Sequence, residues 1–183
     1  MNKKILAKTQ EKLLELGIER IIIADDEFAN IAAALPFAET LPEIEFEFYH
    51  RGDLVVAQIP ERYQEIGLIL TDRQMETKDA GLDVLETAWR YRIPTFVCSG
   101  GYEHGNKPLV RIFPGNYQTP EGMTKDKLET WENIIDYVIS EANKPASIMR
   151  GLVNVRRTGF EGPEDSLAKD IRETAKMCFD DIP

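Results

Sequence analysis

Apolar residues in this chain follow two rhythms. Short unbroken runs, Ile21-Ile22-Ile23-Ala24, Gly67-Leu68-Ile69-Leu70-Thr71 and Thr95-Phe96-Val97-Cys98, read as strands buried on both faces, as in a parallel sheet. Between them apolar residues recur at helical spacing. Leu82, Leu85, Ala88 and Trp89 predict a helix over 80–91, and Leu128, Trp131, Ile134, Ile135, Val138 and Ile139 predict one over 125–142. Residues 3–16 predict an extra N-terminal helix closed by Gly17. The alanine-rich stretch from Glu27 to Ala38 predicts a helix N-capped by Asp26, and 53–65 a helix limited or kinked by Pro60. Ile44, Phe46 and Phe48 alternate with Glu45, Glu47 and Tyr49, which fits a half-exposed edge strand over 44–50. Leu109-Val110-Arg111-Ile112-Phe113, closed by Pro114-Gly115, reads as a fifth strand.

Strands alternating with helices predict an α/β domain with a mostly parallel five-stranded sheet and helices on both faces. One link breaks the alternation. Only Gly101 to Pro108 separates strands four and five, and a helical crossover needs about a dozen residues. The helix between those strands is therefore expected to be missing. Strand five then runs either parallel after an extended overpass or antiparallel at the sheet edge; the reach of the chain allows both. Residues 1–143 form the expected domain, and 144–183 a C-terminal appendix with a strand over Leu152–Val155 and a last helix over 165–179. The appendix should pack on the domain, with Ile148, Leu152, Val153, Leu167, Ile171, Met177 and Phe179 covering sheet surface that the missing helix leaves open.

A formal charge of −10 over 183 residues argues against a general binder of nucleic acid or anionic membrane. No apolar run approaches the roughly 18 residues of a membrane span, and the start is too short and too charged for a secretory signal, so a cytoplasmic location is expected. Cys98 and Cys178 have no metal-like or disulfide-framework spacing, and Cys98 reads as a packed small core residue. His50 and His104 are isolated surface positions. Trp89 and Trp131 sit among aliphatics at helical spacing and read as core. Arg150, Arg156 and Arg157 make a local basic stretch, a solvated face or a partner patch.

The chemistry lies at the carboxyl ends of the apolar runs. Asp25 and Asp26 follow the first, Asp72 the next, and Ser99 follows Cys98. In open α/β sheets that edge is where ligands bind. Three carboxylates and a hydroxyl gathered there can hold a divalent cation and a phosphoryl group.

These residues, together with Met75 three positions after Asp72, Gly81-Leu82-Asp83-Val84-Leu85 opening the next helix, and Ser99-Gly100, resemble the receiver domain of bacterial response regulators over roughly 20–140. The resemblance implies a flavodoxin-like doubly wound fold. It implies Asp72 as phosphoryl acceptor, Mg²⁺ held by Asp25, Asp26, Asp72 and the backbone carbonyl of Gln74, and Ser99 bonded to a phosphoryl oxygen. A histidine kinase or a downstream effector is the implied protein partner. The chain also departs from the pattern. Phe113 stands where the family has a lysine before proline, Val110 where it has an aromatic switch residue, and Glu76 where it has a proline after the methionine. The expected missing helix belongs to the face that carries the family's output.

Three functions follow as expectations: a divergent receiver-like signalling protein acting through protein contact, a phosphorylation-independent pseudo-receiver scaffold, and a Mg²⁺-dependent phosphohydrolase of the haloacid-dehalogenase type. The last wants Asp-x-Asp after strand one, where this chain has Asp25-Asp26-Glu27. Lys107 is either a solvated loop residue or, if strand five is antiparallel, the replacement for the missing lysine, within reach of Asp72 and Ser99.

Overall fold

A computed structural model describes residues 3–99, 115–119, 123–145, 147, 149–153 and 165–180. The apolar runs form a parallel sheet: β1 (Arg20–Ala24), β2 (Glu45–Tyr49), β3 (Leu68–Thr71) and β4 (Thr95–Ser99). They lie in the order β2-β1-β3-β4, each pair parallel. At the far edge the three-residue β5 (Asn116–Gln118) pairs with β4, Cys98 opposite Tyr117. The order 2-1-3-4-5 is that of flavodoxin-like sheets, and it places the ends of β1 and β3 side by side at the point where the winding reverses.

Helices α1 (Lys3–Glu15), α2 (Phe28–Glu39), α3 (Gly52–Arg62), α4 (Ala80–Arg90), α5 (Leu128–Asn143) and α6 (Asp165–Asp180) cover the sheet. α1, α5 and α2 form one row and α3, α4 and α6 another, each helix packed on the next. Strand alternation feeds both faces. Ile21, Ile23, Leu68, Leu70, Phe96 and Cys98 join Phe37, Trp131, Ile134 and Val138 in one apolar cluster. Ile22, Ala24 and Ile69 join Val55, Ile59, Val84 and Ala88 in another. Gly17 closes α1 with φ +73, a left-handed backbone that glycine adopts without steric cost. Trp89 and Trp131 are core, at 0% and 2% exposure.

Several boundaries differ from the sequence reading. The N-cap of α2 is Glu27 rather than Asp26. Pro60 lies inside α3, which ends at Arg62. Residues 152 and 153 are helical within 149–153, not a strand. β5 is parallel and lies beyond 109–113. The predicted strand and the expected helix-free link both fall on residues 100–114, outside the described residues. The strand that does pair with β4 is parallel to it, and the direction of 109–113 lies outside the described residues.

The C-terminal helix α6 packs against α4. Ala168, Ile171 and Ala175 are buried in the same cluster as Leu82, Leu85 and Trp89 of α4, with Leu152. Arg172 clasps α4 from outside, its Nη2 donating to Asp83 Oδ1 at 2.6 Å and its Nε lying 2.8 Å from Glu86 Oε2. Ile148 and the side chains of Leu167, Met177 and Phe179 lie outside the described structure. Among the described residues no helix is long and apolar enough to cross a membrane.

At the opposite edge, Glu47 accepts from Arg62 Nη2 at 2.5 Å and from the Tyr49 hydroxyl at 2.9 Å, with Arg20 Nε 3.3 Å away. The Arg62 hydrogen bond is the largest influence holding the Glu47 carboxyl below its usual range.

Two outcomes follow. Amides of 168–175 should be protected in hydrogen exchange, and Ile171→Ala should destabilise the protein by about 2–4 kcal/mol in urea melts; a freely exchanging helix would contradict the packing. Glu47→Gln should cost at most about 1 kcal/mol at neutral pH, since the pair is partly solvated. A lowered folded pKa gives stability that is present above the unfolded value of 4.5 and lost as pH falls through the folded one, so the two proteins should converge in acid.

Candidate functional site

Buried apolar strands end where backbone carbonyls and amides run out of partners, and this chain places acids there. Asp25 directly follows β1 and is 1% exposed; Asp72 follows β3 with its side chain 16% exposed. The Asp72 amide donates to Ala24 O at 2.7 Å, which locks the two strand ends together. A buried carboxylate needs hydrogen bonds or a counter-charge. Asp25 has both. Its Oδ1 accepts from the Glu27 amide at 3.1 Å and from Asn30 Nδ2 at 2.9 Å, and its Oδ2 accepts from Lys125 Nζ at 2.6 Å. The same ammonium donates to Asp72 Oδ1, while Asp72 Oδ2 accepts from the Gln74 amide at 2.8 Å.

Lys125 is therefore the cation of the site. It lies in the turn before α5, is 6% exposed, and bridges the ends of β1 and β3. Burial works to lower its pKa, but Asp25 and Asp72 outweigh that and hold the ammonium above its ordinary value. Lys125 follows β5 in sequence, twelve positions after Phe113, which lies outside the described residues. Lys107, and the segment 109–113 on whose direction its expected role depends, lie outside the described residues. Sequence reading missed Lys125 because it opened a predicted helix at 125–142. A cation at that end opposes the helix dipole, and this was the available signal that the residue is held by something else.

Two contacts set the Asp72 loop. Gly81 sits so close that a Cβ there would lie 2.0 Å from Asp72 O, so only glycine lets α4 start against the loop. Glu76, at the position of the expected proline, turns its carboxylate onto the start of α3 and accepts from the amides of Gly52 at 2.9 Å and Asp53 at 2.8 Å. An anion there satisfies orphan N–H groups and the helix dipole together.

The remaining expected residues are placed less closely. Asp26 is exposed beside Asp25. Ser99 ends β4, opposite Gln118. Among the described residues no three Asp, Glu, His or Cys side chains converge closely enough to hold a metal by themselves. Asp25, Asp26 and Asp72 thus fit a divalent cation only in part. The space between Asp25 and Asp72 is taken by the ammonium, and what faces outward is Asp26 and the exposed side of Asp72. Burial pushes the Cys98 thiol up to about 12, which suits a packed core residue and not a nucleophile.

No family model matches the chain, and no curated protein sequence matches it. Among solved structures, a mutant of the receiver domain of the histidine kinase CKI1 from Arabidopsis thaliana is similar at 18% identity, over 48% of this chain and 69% of that one, with a TM-score of 0.38.

Removing one member of a buried ion group leaves the others uncompensated. Lys125→Met should cost about 3–5 kcal/mol in denaturant unfolding. Adding Asp25→Asn to that variant should cost less than Asp25→Asn costs alone, with a coupling of about 1–3 kcal/mol. Strictly additive losses would show that the two groups do not act on each other.

Proposed function

We propose that the chain is a receiver-like signalling protein whose Asp72 accepts a phosphoryl group and which acts through contact with other proteins. The observation that carries this reading is the Lys125 ammonium shared between Asp25 and Asp72 at the sheet's carboxyl edge. A carboxylate oxygen of Asp72 would attack phosphorus; the bond to the donor's leaving group would break, and that group would depart with the electron pair. Lys125 would offset charge on the acceptor and the incoming phosphoryl oxygens, with Asp25 orienting it. Mg²⁺, if bound, would be held by Asp26, Asp72 and the Gln74 carbonyl and would lower repulsion between the two anions. Ser99 is the candidate donor to a phosphoryl oxygen. The missing lysine, one argument for a phosphorylation-independent scaffold, loses weight with Lys125 beside Asp72; the missing helix, the other argument, falls on residues outside those described.

Intact mass after treatment with Mg²⁺ and a small acyl-phosphate donor should show one phosphoryl group on the native chain and none on Asp72→Asn. Beryllofluoride should raise the melting temperature of the native protein and leave Asp72→Asn unmoved. Millimolar Mg²⁺ alone should also raise it, less so in Asp26→Asn. A native chain that takes neither adduct at any Mg²⁺ concentration would return the function to a binding scaffold.

A further inference from the structure

Lys125 reaches the site from a turn, and a turn does not by itself fix where an ammonium sits. One side chain ties that turn to the acid side. Trp131 Nε1 lies 2.8 Å from Lys125 O and 3.2 Å from Asn30 O, so a single indole N–H is shared by two backbone carbonyls from opposite sides of the site. Asn30 in turn donates its side-chain amide to Asp25 Oδ1. One residue earlier, the Thr130 hydroxyl donates to Thr124 O at 2.7 Å, closing the same turn against the first turn of α5. Asp25 and Lys125, a hundred residues apart in sequence, are thus held by the same indole: Lys125 through its own carbonyl, Asp25 through Asn30.

We infer that Trp131 and Asn30 are positioning residues of the site, with the shared indole N–H setting the distance between the Lys125 turn and the Asp25 turn. The Trp131 N–H donates to backbone carbonyls and not to a carboxylate, so it acts through Lys125 and Asn30. The molecule carries its own comparison. Trp89 is as deeply buried, yet among the described residues its Nε1 has no hydrogen-bond partner. Replacing either indole by phenyl removes similar apolar surface, and only one replacement removes a bond to the site.

The inference rests on the proposed function only in giving Lys125 a task, and its test is independent of phosphoryl chemistry. Under native conditions, acylation by N-hydroxysuccinimidyl acetate is followed at each lysine by peptide mass spectrometry. In the native chain Lys125 should label slowly and the exposed Lys127 quickly. Trp131→Phe should speed labelling of Lys125 about tenfold, the scale of one hydrogen bond, with Lys127 unchanged. Trp89→Phe should leave the Lys125 rate at its native value even where it lowers the melting temperature as much. Asn30→Ala, at a half-buried side chain whose loss leaves the core intact, should speed Lys125 in the same direction and keeps the test open if Trp131→Phe does not fold. Equal acceleration by both tryptophan variants, or a Lys125 rate unmoved by Trp131→Phe or by Asn30→Ala, would overturn the inference. A native chain that takes no phosphoryl group but shows these labelling rates would sink the functional reading alone.

Discussion

The arrangement turns on one buried ammonium between two carboxylates. Lys125 pulls together the end of β1, the end of β3 and the turn before α5, three segments that would repel or drift apart without it. Taking such charges out of water is costly, and their attraction offsets the cost only when the geometry is good and the remaining lone pairs are filled. The neighbours supply that filling. Glu27 and Asn30 serve the other oxygen of Asp25, and Gln74 serves the other oxygen of Asp72.

The same interaction explains why the surrounding loops are short and tied. The Asp72 loop is held from the Ala24 carbonyl, from α4 through the bare Cα of Gly81, and from α3 through the Glu76 carboxylate. A loop fixed on three sides presents its acid in one place. Pre-organisation of this kind is what a site for charge transfer requires, because dipoles set in advance need no rearrangement when charge moves.

What the sequence revealed follows from how strongly each element is buried. β1, β3 and β4 are continuous apolar runs covered on both faces, and their patterns are unmistakable; Asp25, Asp26, Asp72 and Ser99 follow as neighbours of legible strands. β5 was not legible. Asn116-Tyr117-Gln118 offers one apolar residue, and its pairing comes from β4, not from its own preferences. A strand expected at 109–113 puts Phe113 in the lysine position and leaves Lys107 as the nearby cation. Lys125 was hidden for a related reason: its partners Asp25 and Asp72 lie 100 and 53 positions away, and no local rhythm records such contacts. Trp131 was legible as core, but an aliphatic pattern says nothing of where an indole N–H points.

The C-terminal helix carries a consequence in time. α6 completes the row begun by α3 and α4, and its clasp on α4 joins Arg172 to Asp83 across eighty-nine positions. Most of the sheet is assembled from neighbours in sequence, but this face closes only when the last helix returns over a long loop. Closing such a loop costs chain entropy before any contact compensates it, so the step belongs late in folding. Until then Leu82, Leu85 and Trp89 stay exposed. The half-built protein thus shows an apolar face that the finished one hides, and the interval before α6 docks is when the chain is most open to aggregation or to a chaperone.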